Sequence, residues 1–187
     1  LTSTTSSILV TQLAALVRRP ERFLNMHWLN PAYLIPLVEL STHAGTDATV
    51  VERTKAWMES IGKLPVVCGP APGYIVPRLQ SLIMNEAARM IEQGVASAED
   101  IDRATRYGLG FRYANMGVVE FIDFGGNDIL YYASRYLAQA LDDSRYWVVR
   151  PRIGTTGVSG FDTILSGAYI AADIGLAHAQ IEEGSID

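Results

Sequence analysis

The sequence predicts an α/β segment that forms the closing part of an open sheet, followed by a mostly α-helical region. Over roughly the first 70 residues, apolar runs and one helical pattern give the order strand, strand, helix, strand, which is typical of such a segment. The cluster Gly69-Pro70-Ala71-Pro72-Gly73 ends this part, and after it the apolar period changes from about two residues to about 3.6. We therefore divide the chain into residues 1–72, residues 73–146 and an atypical tail, residues 147–187.

The first part begins with a short helix and two short strands. Apolar residues from Ile8 to Leu16 repeat at helical spacing, and the helix is expected to end before Pro20. Phe23–Leu29 and Leu34–Leu40 predict strands. Asn30-Pro31 stops the first of them, because proline has no amide hydrogen to donate to a ladder and restricts the residue before it.

A second helix and a third strand complete this part. Thr46 is expected to cap the helix, whose apolar positions run from Val50 to Ile61. Gly62 follows as the residue that adopts the left-handed conformation at a helix end. Leu64–Cys68 then predicts the third strand of the sheet.

The second part is predicted to be a series of helices. Leu79–Ile91 marks one long helix that ends at Gly94. Ser97-Ala98-Glu99-Asp100 resembles a capping box, and the helix that it opens is expected to stop at Gly108. Two more helices are predicted on either side of Gly125-Gly126, over Val118–Phe124 and Asn127–Leu141. In the tail, only Ala168–Ile181 keeps an apolar period.

Composition excludes several classes of protein. The net charge of −5 argues against nucleic acid as a partner, because such proteins need clustered Lys and Arg. The single cysteine, Cys68, allows neither an internal disulfide nor a structural zinc site, so we expect a cytoplasmic location and no metal. No charged leader followed by an apolar run opens the chain. No apolar run in the sequence reaches the roughly 18 to 20 residues that a membrane span needs. The chain begins with Leu1 rather than methionine, which is typical of a piece of a longer protein.

A phosphate-binding turn is absent from the sequence. A dinucleotide site needs a glycine-rich turn between a strand and a helix, so that backbone amides hold the pyrophosphate. Gly108-Leu109-Gly110 has no third glycine, and it is expected to end a helix rather than open one. The sequence also contains no P-loop, no His-Glu-x-x-His and no Cys-x-x-Cys.

The candidate chemistry rests on His27 and Glu39. Each lies in a short predicted strand, and adjacent strands can bring an imidazole and a carboxylate together. A carboxylate beside a histidine fixes its tautomer and stabilises the imidazolium that forms when it takes a proton. On spacing alone, the two residues are a working acid-base pair, a satisfied polar pair without function, or two surface residues.

Several motifs resemble those of the L-3-hydroxyacyl-CoA dehydrogenases and their lambda-crystallin or gulonate-dehydrogenase relatives. They appear in the family's order and cover Leu1 to about Tyr146. The matching segments are Thr5-Ser6-Ser7-Ile8, His27-Trp28-Leu29-Asn30-Pro31, Pro36-Leu37-Val38-Glu39, Gly73-Tyr74-Ile75-Val76, Gly94 to Asp102 and Met116 to Asp128. The resemblance implies the end of a Rossmann-type NAD-binding sheet followed by a helical dimerisation domain, without the glycine-rich half.

The resemblance also implies roles for individual residues. His27 would be the general base for the 3-hydroxyl group, and Glu39 would orient it and balance its charge. Ser6 would bind the substrate hydroxyl, Asn30 would form the floor of the site, and both would lie against the cofactor. The implied cofactor is NAD, the implied partners are a small-molecule substrate and a second copy of the chain, and the implied reaction interconverts 3-hydroxyacyl-CoA and 3-oxoacyl-CoA.

Two positions keep other functions open. Pro77 stands where the family has a substrate-contacting asparagine, and proline is suited to a helix start instead. Arg112 resembles the lambda-crystallin branch, where an arginine would hold a substrate carboxylate, although it also fits a structural salt bridge. The alternatives are therefore a dehydrogenase of free 3-hydroxy acids, of gulonate or carnitine type, or a non-catalytic dimerisation module.

Overall fold

The computed structural model describes residues 1–146. It divides the chain into two compact units, Leu1–Ala98 and Glu99–Asp187. The predicted tail, residues 147–187, and its apolar period over Ala168–Ile181 lie outside the described residues. Within the described part, no helix is long and apolar enough to cross a membrane.

The first unit contains a four-stranded mixed sheet in the order β1-β2-β3-β4. Its strands are Thr2–Ser3 (β1), Leu24–Trp28 (β2), Leu37–Ser41 (β3) and Leu64–Cys68 (β4). β1 runs parallel to β2 and β3 runs parallel to β4, while β2 and β3 are antiparallel. The three predicted strands are confirmed and β4 has the predicted bounds, whereas β1 is too short to leave a pattern in the sequence.

Three helices accompany this sheet: Val10–Ala14 (α1), Ala48–Ser60 (α2) and Val76–Glu92 (α3). The predicted cap of α2 is wrong by one residue. Asp47 is the N-cap, and its carboxylate accepts a hydrogen bond from the Thr49 amide at 2.8 Å. Thr46 instead donates its hydroxyl to the Phe23 carbonyl, so its side chain ties the loop to the neighbouring segment.

The main core lies between α2 and one face of the sheet. Leu24, Met26, Val38 and Leu40 pack there with Met58 of α2. Since side chains alternate between the two faces of a strand, the intervening residues of β2 and β3 face the other side. These residues are polar and buried, and they are Asn25, His27, Glu39 and Ser41.

The described part of the second unit is helical, as predicted. Its helices are Ala98–Ala104 (α4), Phe111–Asn115 (α5), Val118–Gly125 (α6) and Asn127–Ala140 (α7). The expected stop at Gly108 is wrong, because a π-helical segment, Thr105–Gly110, joins α4 to α5. Gly110 has φ −60° and ψ −48°, so this glycine continues a helix rather than ending one. Gly126, with φ 92°, makes the predicted break between α6 and α7.

Candidate active site

His27 and Glu39 lie directly opposite each other in the antiparallel pair of β2 and β3. Their side chains point to the polar face of the sheet and meet there, with 2.8 Å between Nδ1 of His27 and Oε2 of Glu39. Both are buried, with side-chain exposures of 7% and 0%. The strands therefore bring the two predicted residues together because their register places both on one face.

Both oxygens of the Glu39 carboxylate accept hydrogen bonds. Its second oxygen, Oε1, accepts the backbone amides of Ile75 at 2.9 Å and Val76 at 2.8 Å. These are the amides of the N-cap and of the first residue of α3, at a helix start where amides lack intrahelical partners and the helix dipole favours negative charge. A buried carboxylate requires hydrogen-bond partners, and both oxygens of Glu39 have them.

This arrangement assigns the tautomer of His27. Because a carboxylate can only accept, the proton of the neutral imidazole belongs on Nδ1, where it is donated to Glu39. The lone pair of Nε2 then faces Ser6, whose Oγ lies 3.0 Å away. Ser6 is exposed, so this end of the His27–Glu39 pair borders solvent. Nε2 is thus a basic nitrogen with a hydroxyl group at hydrogen-bond distance, which is the geometry of a general base.

Two residues without a predicted role complete the site. The ring of Tyr74 stacks on the imidazole of His27, with 4.8 Å between centroids and an angle of 7° between planes. Asn25 donates from Nδ2 to the Tyr74 hydroxyl at 3.0 Å. Burial raises the pKa of Tyr74, which keeps its hydroxyl protonated as a donor. The alternation of β2 could have revealed Asn25, which lies two residues before His27 on the same face.

The other predicted residues lie further along the chain. Asn30 is exposed just beyond the end of β2. The loop after it is held by Lys63, whose Nζ donates to the carbonyls of Ala32 and Ile35. Pro77 is the second residue of α3, as expected for a proline at a helix start.

Arg112 belongs to α5, in the second unit. Its guanidinium carbon lies 4.5 Å from the centre of the Phe121 ring. The described contact of Arg112 is therefore a cation–π interaction, whereas the sequence had suggested a substrate contact or a salt bridge.

The remaining chemical groups of the described part have structural explanations. Cys68 ends β4, and burial raises the pKa of its thiol, with a smaller opposing effect from its hydrogen bond with Ser41. Cys68 is half-buried, and a thiol with a raised pKa carries little of the reactive thiolate. Among residues 1–146, no group of three or more His, Cys, Asp or Glu side chains could hold a metal ion.

Comparison with known proteins gives two family matches. Residues 1–71 match the family model described as 3-hydroxyacyl-CoA dehydrogenase, NAD binding domain. Residues 73–160 match the model described as 3-hydroxyacyl-CoA dehydrogenase, C-terminal domain. The first match refines the expectation from the sequence: the chain contains part of the NAD binding domain, although the glycine-rich turn is not in the sequence.

Individual relatives agree with these matches. The lambda-crystallin homolog of Homo sapiens is 39% identical over 137 residues, which are 73% of this chain and 43% of that protein. The 3-hydroxyadipyl-CoA dehydrogenase of Escherichia coli strain K12 is 43% identical over 129 residues, 69% of this chain and 26% of that protein. The chain thus spans less than half the length of these curated relatives.

A solved structure matches over most of the chain. The crystal structure of the 3-hydroxyacyl-CoA dehydrogenase from Archaeoglobus fulgidus DSM 4304 has a TM-score of 0.70 and 31% identity. The match covers 98% of this chain and 67% of that one. Together with the two family models, this similarity shows that the chain belongs to the 3-hydroxyacyl-CoA dehydrogenase family.

Proposed function

We propose that the intact protein is an NAD-dependent dehydrogenase of fatty acid metabolism that interconverts a 3-hydroxyacyl-CoA and a 3-oxoacyl-CoA, in the cytoplasm. The observation that carries this proposal is the chain of hydrogen bonds from Ser6 through His27 to Glu39. It provides a base with a fixed tautomer, a buried negative charge behind it and a hydroxyl contact in front of it.

In the oxidation, Nε2 of His27 takes the proton of the substrate 3-hydroxyl group. The imidazolium that forms is stabilised by Glu39, which is already held in place by two helix amides. Ser6 holds the substrate oxygen beside Nε2, and Asn30 lines the site beyond the end of β2. NAD supplies the hydride acceptor when it is bound.

The residues of this chain fit one end of NAD better than the other. Ser6 supplies a hydroxyl group beside the base, which suits the polar nicotinamide end. The pyrophosphate instead requires a glycine-rich turn at a helix N-terminus, and that turn is not in this sequence. We therefore place the contacts of Ser6 and Asn30 with the cofactor at the nicotinamide end.

The function is tested with a protein in which this chain is joined to a complete dinucleotide-binding half. NADH formation is measured with 3-hydroxybutyryl-CoA and, separately, with free 3-hydroxybutyrate. We expect turnover of the thioester. Turnover of the free acid alone would contradict the acyl-CoA assignment while keeping the dehydrogenase chemistry.

A dehydrogenase of free hydroxy acids is the second candidate. Arg112 supports it, because it is an exposed residue of α5 and a guanidinium can pair with a carboxylate. The relatives also include a 5-formyl-3-hydroxy-2-methylpyridine 4-carboxylate 5-dehydrogenase from Mesorhizobium japonicum, which is 35% identical over 136 residues, 72% of this chain and 44% of that protein.

Substitution of Pro77 by asparagine distinguishes the two candidates. If the thioester reaction uses an amide at this position, Pro77→Asn is expected to raise the specificity constant for the thioester by roughly 5- to 150-fold, since an unmet polar partner costs about 1 to 3 kcal/mol. The fold should survive, because the second residue of α3 does not require proline. A lower specificity constant, or a shift of activity to the free acid, would favour the second candidate.

We also propose that the chain forms a homodimer through its helical part. Apolar side chains of α6 and α7 remain exposed in the described structure, among them Phe124, Ile129 and Tyr136 at 76%, 64% and 69%. Exposed apolar surface of this kind marks an interface. Sedimentation at tens of micromolar should give at least a dimer, and a monomer at that concentration would contradict the proposal.

A further inference from the structure

We propose that Tyr74 is a positioning residue for the base: its ring fixes the plane of the His27 imidazole, and its hydroxyl holds the segment that carries Ser6. Its importance for turnover rests on the proposed function. Its effect on the Ser6–His27 hydrogen bond does not, because that contact exists without substrate or cofactor.

The backbone at Tyr74 adopts an uncommon conformation that places its ring on His27. Gly73 and Tyr74 have φ of 75° and 45°, so two consecutive residues lie in the left-handed region. That region is uncommon for a bulky side chain and persists only where the surroundings hold it. The turn brings the Tyr74 ring over His27, and the two amides that follow it bind Glu39. One turn therefore contacts both members of the His27–Glu39 pair.

The hydroxyl of Tyr74 extends this control to Ser6. It donates to the carbonyl of Thr5, the residue directly before Ser6. Asn25 donates one Nδ2 hydrogen to the Tyr74 hydroxyl and the other to the carbonyl of Ile8, at 3.0 and 3.1 Å. The two carbonyls lie on either side of Ser6 in the chain, so Tyr74 and Asn25 together fasten the segment at both ends.

Such fastening is needed because Ser6 lies on an exposed segment outside any helix or strand. Without it, the hydroxyl would sample positions away from Nε2, and a displacement of about 1 Å is enough to impair catalytic geometry. The stacked ring contributes separately, since it prevents the imidazole from turning about its side-chain bonds. Glu39 holds one nitrogen of that ring, and Tyr74 keeps the other directed at Ser6.

The proposal is tested by nitrogen NMR on the full 187-residue chain with labelled histidine. Ser6→Ala defines the Nε2 signal of His27 without its hydroxyl hydrogen bond. We expect Tyr74→Phe, which keeps the ring and removes the hydroxyl, to move that signal most of the way toward the Ser6→Ala position. Tyr33→Phe is the matched control, because Tyr33 is 91% exposed in the same unit. His43, bound to Pro20 and Gly45, is the internal control and should not move.

A second variant keeps the test decisive if Tyr74→Phe does not fold. Asn25→Leu removes the donor to Tyr74 and Ile8 and also removes Oδ1, which is buried without a hydrogen-bond partner among the described residues. Asn25→Leu should keep the fold and move the Nε2 signal of His27 part of the way toward its position in Ser6→Ala. If either folded variant is less stable in urea but keeps the wild-type Nε2 signal, Tyr74 is only structural and the proposal is wrong.

Turnover provides an independent measurement in the protein joined to a dinucleotide-binding half. Tyr74→Phe should lower kcat roughly 5- to 10-fold, the effect of one lost positioning hydrogen bond, with KM nearly unchanged. A rise in KM at unchanged kcat would overturn the positioning role. If the NMR shift is found but no variant, including the wild type, turns over a hydroxyacyl substrate, the proposed function fails and the positioning of Ser6 stands.

Discussion

Replacement of His27 by alanine is expected to lower turnover by about 10²- to 10⁴-fold, the usual contribution of a positioned general base. In the assigned tautomer, Nε2 of His27 carries no proton and can act as the base. It lies 3.0 Å from the hydroxyl oxygen, Oγ, of Ser6. Alanine leaves no group to take the substrate proton, while substrate contacts elsewhere remain. The decrease should therefore fall on kcat, measured as NADH formation in the protein with a complete dinucleotide-binding half.

His43→Ala is the matched control for this variant. His43 also uses both ring nitrogens, which contact the Pro20 carbonyl and the Gly45 amide, but it lies outside the Ser6–His27–Glu39 chain. It should retain turnover within a factor of about two, because none of its described hydrogen bonds involves Ser6, His27 or Glu39, and urea unfolding would report any loss of stability separately. Near-normal turnover in His27→Ala would remove His27 from the chemistry.

Strand alternation is a local property, and it predicted that His27 and Glu39 could meet, because residues two apart on one strand share a face. Spacing alone left open whether the pair has a function, and the roles of base and orienting carboxylate came from the resemblance to the dehydrogenase family. The same rule explains why α2 packs on one face and the polar residues collect on the other. The π-helical segment after α4 was not predictable in this way, since a glycine pair ends a helix in one context and continues it in another.

Contacts between distant segments were also beyond the sequence. Tyr74 reaches Thr5 across 69 positions of the chain, and no period or spacing encodes that distance. Its ring and hydroxyl act on different partners, which becomes visible only when the turn at Gly73 is built. The N-cap of α2 also depends on such a contact. Thr46 and Asp47 are both good capping residues, and the choice between them depends on whether Thr46 bonds to Phe23 across the loop.

Glu39→Gln is expected to lower turnover by about 10²- to 10⁴-fold as well, through the tautomer of His27 rather than through its loss. The amide oxygen of glutamine can still accept the Ile75 and Val76 amides, which now hold Oε1. Its NH₂ group must then face His27, where a carboxylate oxygen lies 2.8 Å from Nδ1. Nδ1 becomes an acceptor, so the imidazole proton moves to Nε2 and the nitrogen facing Ser6 is no longer basic.

Glutamine changes the tautomer of His27 while it keeps a hydrogen-bonding side chain at position 39. Alanine at the same position would leave a buried imidazole and two helix amides without an acceptor, a loss of about 3 to 5 kcal/mol that could unfold the unit. Urea unfolding should show a smaller loss for Glu39→Gln, and nitrogen NMR should show protonated Nε2. Glu59→Gln, on the exposed side of α2, is the matched control and should keep wild-type turnover. If Glu39→Gln carries its proton on Nε2 yet turns over normally, His27 does not act as the base, because the nitrogen that would accept the proton is already protonated.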